Sequence, residues 1–111
     1  MKLQILHLED NRDDVELIRH SLTRGGLDFE LRSVDSASDY LSALEEKHFD
    51  VILSDSGLPG YDSRAALIAA QARSPSTPFI VVSASNSPLP GSAAFVSKTD
   101  VTQLADVIQR T

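Results

Sequence analysis

Apolar and polar positions alternate between two periods along this chain. Leu3 to Leu8 reads as a short apolar strand. From Asn11 the period lengthens, with Val15, Leu17, Ile18 and Leu22 recurring at three- and four-residue spacing, as one face of a helix requires. Asn11 and Asp13 are candidate caps for its start, and Gly25-Gly26 is its stop. Phe29 to Val34 alternates apolar with polar residues, the mark of a half-buried edge strand. Ser36 to Lys47 returns to the helical period, with Ala37, Tyr40, Leu41 and Leu44 on one face. Phe49 to Leu53 predicts a central strand. Asp62 to Arg73 predicts an Ala-rich helix ended by Ser74-Pro75, and Phe79 to Val82 a second continuous apolar strand. Ala94 to Val96 is a short fifth strand, and Val101 to Ile108 a last helix capped by Thr99 or Asp100.

Strand–helix alternation with continuous apolar strands in the middle implies an α/β fold whose parallel sheet is covered on both faces. Right-handed crossovers then give a doubly wound sheet, with its ligand site beyond the strand C-termini, where the strand order reverses. Two strands end there in acid. Leu3 to Leu8 runs into Glu9-Asp10, and Val51-Ile52-Leu53-Ser54 delivers Asp55. The Gly- and Pro-containing run Ser56-Gly57-Leu58-Pro59-Gly60 then forces a tight loop that exposes the carboxylate before it. If the two strands are parallel neighbours, three carboxylates meet at one sheet edge. Such a cluster repels itself unless a cation lies between its members, so it implies a metal site.

Composition narrows the picture. The chain has 111 residues, enough for one domain with a single core, and with 41% hydrophobic but only 5% aromatic residues that core must be aliphatic. A formal charge of −6, with no Lys/Arg cluster, argues against a nucleic-acid partner. The absence of cysteine excludes disulfides, thiolate zinc sites and redox pairs. No stretch has the roughly 20 apolar residues of a membrane span, and no signal-peptide core opens the chain. The expectation is a cytoplasmic protein that does not engage the membrane.

One stretch breaks the alternation. Between the fourth and fifth strands lie only Ala84 to Ala93, which include Asn86, Pro88, Pro90 and Gly91. Proline removes backbone donors and blocks helix interiors, so this segment reads as a loop with at most one irregular turn. A parallel crossover ordinarily takes a dozen or more residues and a helix.

Taken together, these elements resemble a response-regulator receiver domain, the CheY-like phosphoacceptor module of two-component signalling. The resemblance rests on Glu9-Asp10 after the first strand, Asp55 followed by Leu58-Pro59-Gly60, Ser83-Ala84 after the fourth strand, and Phe95 three residues before Lys98. The stretches 54–62 and 98–100 look most like receivers attached to sensory kinases. The resemblance spans nearly the whole chain and implies one receiver domain over 1–111. Its fold would be a flavodoxin-like five-stranded parallel sheet of order 2-1-3-4-5, here with the fourth helix missing or reduced to a turn.

The same resemblance implies roles. Asp55 would attack the phosphorus of a phosphohistidine on a histidine kinase or histidine phosphotransfer domain. Mg²⁺ would be held by Asp10, Asp55 and the Gly57 carbonyl, with Glu9 acting through water. Lys98 and the Ser83 hydroxyl would contact phosphoryl oxygens, and the amides of Ser56 and Ala84 are further donors. Ser83 and Phe95 would form a switch, Phe95 turning inward as Ser83 is drawn to the phosphoryl group. Gly57, lacking a side chain, would leave water a path to the acyl phosphate. The reduced fourth crossover is expected to uncover apolar surface beside Val81, Val96 and the last helix, and so to favour a homodimer or a dedicated partner. The chain stops at Thr111 without an effector, as either a stand-alone receiver or one cut from a kinase-linked protein would.

Blander readings compete. Asp55, Glu9 and Asp10 have the chemistry of turn or helix caps, Lys98 that of a solvated charge, Ser83 that of an ordinary strand end, and Phe95 that of plain core. His7 reads as a hydrogen-bonded core histidine, and His20 and His48 as surface residues. A pseudo-receiver working by contacts alone would keep the scaffold without the chemistry. A phosphatase of the haloacid-dehalogenase kind would need a second Asp two positions after Asp55, where Gly57 stands.

Overall fold

All five predicted strands form, and in the computed structural model, which describes residues 2–84 and 88–111, they assemble into one parallel sheet. In chain order the elements are β1 (Leu3–Leu8), α1 (Arg12–Arg24), β2 (Phe29–Val34), α2 (Ala37–Glu46) and β3 (Val51–Ser54). A small hairpin, β4 (Gly57–Leu58) with β5 (Tyr61–Asp62), leads into α3 (Ser63–Arg73). Strands β6 (Phe79–Ser83) and β7 (Ala94–Ser97), a 3-10 segment (Lys98–Gln103) and α4 (Leu104–Arg110) complete the chain. The sheet order is β2-β1-β3-β6-β7 with every pair parallel. Because the hairpin lies outside the sheet, this is the expected order 2-1-3-4-5.

Successive strand residues point to opposite faces, and both faces are buried. Leu6, Leu8, Ile52, Phe79 and Val81 face α2 and α3, where they meet Tyr40, Leu44 and Leu67. Ile5, Leu53, Ile80, Val82 and Val96 face α1 and α4, where they meet Ile18, Leu22, Leu104 and Ile108. Each such side chain contributes about 1.5–3 kcal/mol by leaving water. Tyr40 is enclosed, and its hydroxyl donates to the Ala66 carbonyl at 2.7 Å, which joins α2 to α3.

Helix boundaries follow their predicted signals. Asn11 caps α1, its side chain accepting from the Asp14 N–H. The Gly25-Gly26 stop serves two needs. Gly26 takes φ +81°, which only glycine adopts freely, whereas at Gly25 an added Cβ would stand 2.4 Å from the Ala105 Cβ of α4. The close approach of α1 to α4 therefore depends on a missing side chain. The start of the last helix differs from expectation. The chain passes from β7 directly into the 3-10 segment, which the Ser97 hydroxyl caps by accepting from the Thr99 N–H, and α4 begins only at Leu104, with no side-chain cap from Thr99 or Asp100. Among the described residues no helix is long and apolar enough to cross a membrane.

The fourth crossover contains no helix among its described residues; Asn86 lies outside them. Gly91 turns the chain at φ +93°, and the Ser92 N–H and hydroxyl both donate to the Leu89 carbonyl. Val81 and Val96 themselves stay buried, at 0% and 5% exposure. Leu89 from the loop packs on the cluster that contains Val81, and α4 covers Val96. What remains is a groove of about 320 Å³ bordered by Leu67, Ala70, Phe79, Gly91, Ala93 and Thr111.

His7 also departs from expectation. It is buried on the face of β1 toward α1, and neither ring nitrogen has a hydrogen-bond partner among the described residues. Burial, followed by the Lys98 charge, pushes its pKa down from 6.5 to about 4. The unfolded chain therefore binds the extra proton between about pH 6.5 and 4, and folding stability is lost as the pH falls through that window. His7→Leu should remove a component of roughly 2–3 kcal/mol from that loss, read by urea unfolding at stepped pH. Gly25→Ala should destabilise the fold by about 1–3 kcal/mol in the same measurement, because α1 or α4 must shift to admit the methyl group. An unchanged midpoint would show that the two helices are not held at that contact.

Candidate functional site

Register brings the acidic residues together. Leu8 lies opposite Ser54 in the β1–β3 ladder, so the next residue of each strand, Glu9 and Asp55, emerge side by side. The Asp55 N–H donates to the Leu8 carbonyl at 3.0 Å, and the Glu9 N–H to the Val34 carbonyl at 2.9 Å, which fixes both backbones to neighbouring strands. Carboxylate oxygens of Glu9, Asp10 and Asp55 all lie within 4.8 Å of one another. Their exposure is graded: Glu9 is buried, Asp55 half-buried and Asp10 open to solvent. Three hard oxygen donors with one side facing water suit Mg²⁺ or Ca²⁺, which keep part of their hydration shell.

Lys98 follows β7 directly, and its ammonium enters this cluster from the far strand. The Nζ atom lies 2.7 Å from Glu9 Oε1, 2.7 Å from Asp14 Oδ2 and 3.1 Å from Asp55 Oδ1. Only 12% of the Lys98 side chain is exposed, so it is a committed internal counterion rather than a solvated charge. Burial works against its charge, but the bonds to Asp14, Glu9 and Asp55 outweigh that and hold its pKa above the ordinary lysine range. Burial raises the pKa of Glu9, opposed by the Lys98 contact and reinforced by the neighbouring Asp55. Glu9 also meets part of its capping reading, since its Oε2 accepts from the Asn11 N–H at 3.2 Å.

Asp14 is the residue that sequence reasoning missed. It sits in the first turn of α1 beside Asp13, and the sequence presents the two as equivalent first-turn acids. What separates them is the helix phase relative to Lys98, a residue 84 positions away. The remaining site candidates take these places. Ser83 is buried at the end of β6, opposite Ser97 in the ladder to β7, and Ala84 follows it, exposed. Phe95 stands opposite Val81 and packs against the α2/α3 cluster while keeping some exposure. The Ser56 carbonyl accepts from the Ser63 N–H at 3.3 Å, and Gly57 pairs with Asp62 in the hairpin, where the sequence predicts a loop. His20 is exposed, and His48 is exposed beside the Ser74 hydroxyl.

The edge thus joins an accessible carboxylate, an acidic oxygen cluster of cation-binding character and an ammonium in contact with both. Such a set can hold a divalent ion and an anionic group against the Asp55 oxygen.

Comparison with known proteins agrees with this geometry. The sequence profile of the response regulator receiver domain matches residues 5–102. No curated protein matches the sequence significantly. Among solved structures, the chain is similar to the receiver domain of the sensor histidine kinase PA1611 from Pseudomonas aeruginosa, which has a magnesium ion coordinated in its active-site cleft. That similarity has TM-score 0.83 and 23% identity, covering 99% of this chain and 97% of that one. A sensor protein from Polaromonas is 25% identical with TM-score 0.82, over 99% of this chain and 95% of that one. The response regulator TrrA of Thermotoga maritima, solved with Mg²⁺ and BeF, is 17% identical with TM-score 0.84, over 99% of this chain and 98% of that one. With the profile covering most of its length and the acidic edge in place, the chain belongs to the response-regulator receiver domain family.

Proposed function

We propose that this chain is a single phosphoacceptor receiver, 1–111, that takes a phosphoryl group on Asp55 from a histidine kinase or histidine phosphotransfer protein. The observation that carries this reading is the Asp55 oxygen 3.1 Å from the Lys98 ammonium, with Glu9 and Asp10 oxygens close by. An Asp55 oxygen attacks phosphorus, the P–N bond of the phosphohistidine breaks, and the imidazole leaves with its electron pair and takes up a proton. The product is an acyl phosphate on Asp55. Glu9, Asp10, Asp55 and the Gly57 carbonyl are the groups that would hold Mg²⁺, which when bound neutralises charge shared by nucleophile and phosphoryl group. Lys98 and the Ser83 hydroxyl orient the phosphoryl oxygens, and the Ser56 and Ala84 amides add donors. Catalysis is confined to the protein's own phosphorylation and dephosphorylation, so it is not an enzyme acting on a separate substrate.

The switch in this reading is the pair Ser83 and Phe95. Phe95 keeps some exposure on the face where Leu89 packs, so a shift of Ser83 toward the phosphoryl group would be read out at the fourth crossover. A donor protein would dock beside the site, where Leu17 of α1 is 40% exposed. That side chain borders a groove of about 430 Å³ between α1 and the 3-10 segment. The groove left at the fourth crossover is the face offered to a second copy or a dedicated partner. A cytoplasmic location fits an exchange with a kinase. The pseudo-receiver alternative has no use for the buried acidic cluster and its lysine, which is the reason to rank it second.

Incubation with Mg²⁺ and acetyl phosphate should add one phosphoryl mass to the wild type and none to Asp55→Ala. Label on the variant would refute the assignment of Asp55, and no label on either would leave the pseudo-receiver. In the same assay Gly57→Met should lengthen the phosphoryl lifetime by shielding the acyl phosphate from water. An unchanged decay rate would remove the argument from access.

A further inference from the structure

The Lys98 ammonium has three hydrogens, and three different carboxylates surround it. Two of them, Glu9 and Asp55, belong to the trio of oxygens suited to a divalent ion. The third, Asp14, does not. A cation drawn to the trio therefore competes with Lys98 for Glu9 and Asp55, because both positive charges seek the same oxygens. Asp14 lies outside that contest. Its carboxylate reaches Nζ at 2.7 Å from the first turn of α1, and among the described residues Lys98 is the partner it has. The contact is compatible with the approach of Nζ to Asp55 at 3.1 Å, so an ammonium held by Asp14 is still beside the nucleophile.

We propose that Asp14 is a positioning residue that retains Lys98 when a divalent cation takes its other two partners. This rests on the phosphoacceptor reading above and adds a residue to it. With Asp14 present, Lys98 gives up Glu9 without becoming a buried, unpaired charge, a state of high cost. With Asp14 neutralised, the ammonium must cling to the trio or leave for solvent, and ion binding bears that penalty. Asp14 thereby couples metal affinity to the placement of the lysine that meets the phosphoryl group.

The test is a double-mutant cycle on Mg²⁺ affinity, measured by isothermal titration with MgCl₂ on wild type, Asp14→Asn, Lys98→Met and the double variant. Asp14→Asn should weaken Mg²⁺ binding about tenfold when Lys98 is present and by no more than about threefold in the Lys98→Met background. The smaller loss is the direct effect of removing one nearby negative charge. An equal loss in both backgrounds, or no loss in either, would overturn the role of Asp14 while leaving the phosphoacceptor reading intact. Failure of the wild type to bind Mg²⁺, together with the absence of acetyl phosphate labelling, would overturn both.

Discussion

One ammonium among carboxylates organises the functional end of this molecule. Glu9 is buried at the tip of β1, a place where an isolated charge is costly, and Lys98 lies 2.7 Å away. The lysine arrives from β7, two strands beyond β3, so the pair ties the centre of the sheet to its edge. It also sets the electrostatics of its surroundings. The same charge adds to the effect of burial, the larger cause, in lowering the pKa of His7, and it meets Asp14 of α1 and Asp55 after β3 in one cluster. Three stretches that are distant in sequence, around Glu9 to Asp14, at Asp55 and at Lys98, meet at this point, and the doubly wound topology is what allows them to.

Much of that topology was legible in the pattern of apolar residues. The continuous apolar runs at 49–53 and 79–82 read as strands buried on both faces and the alternating 29–34 run as an edge, and each forms a strand in the sheet. Given a parallel sheet, Glu9, Asp10 and Asp55 had to fall on one side of it, since each follows a strand at its C-terminal end. Lys98 was legible for the same reason. These inferences hold because they depend on period and strand direction, which tertiary contacts cannot easily overrule.

What escaped the sequence depends on distance in three dimensions. Asp14 and Asp13 differ by about 100° of helical phase, and only the fold decides which one meets Lys98. Histidine in a strand suggests a hydrogen-bond partner, yet neither ring nitrogen of His7 has one among the described residues, and burial favours the neutral ring. The uncovered face expected at the fourth crossover assumed that a missing helix leaves a gap. Val81 is nonetheless buried, in a cluster with Ala66, Leu67 and Ala70 of α3 on which Leu89 of the loop also packs. The hairpin after Asp55 was hidden because Gly57-Leu58 and Tyr61-Asp62 are too short to show any period.

The contact between Gly25 and Ala105 reaches further than local packing. Gly25 lies about 16 Å along α1 from Asp14, and α4 continues from the segment that begins at Lys98. The Ser21 hydroxyl adds a second tie, donating to the Val101 carbonyl at 2.6 Å. Between Ala105 and Lys98 the backbone leaves the helical region at Asp100, so the seam and the lysine are joined through a bend. The helix that presents Asp14 at its first turn is thus docked, at its far end, on the helix that follows Lys98 in the chain.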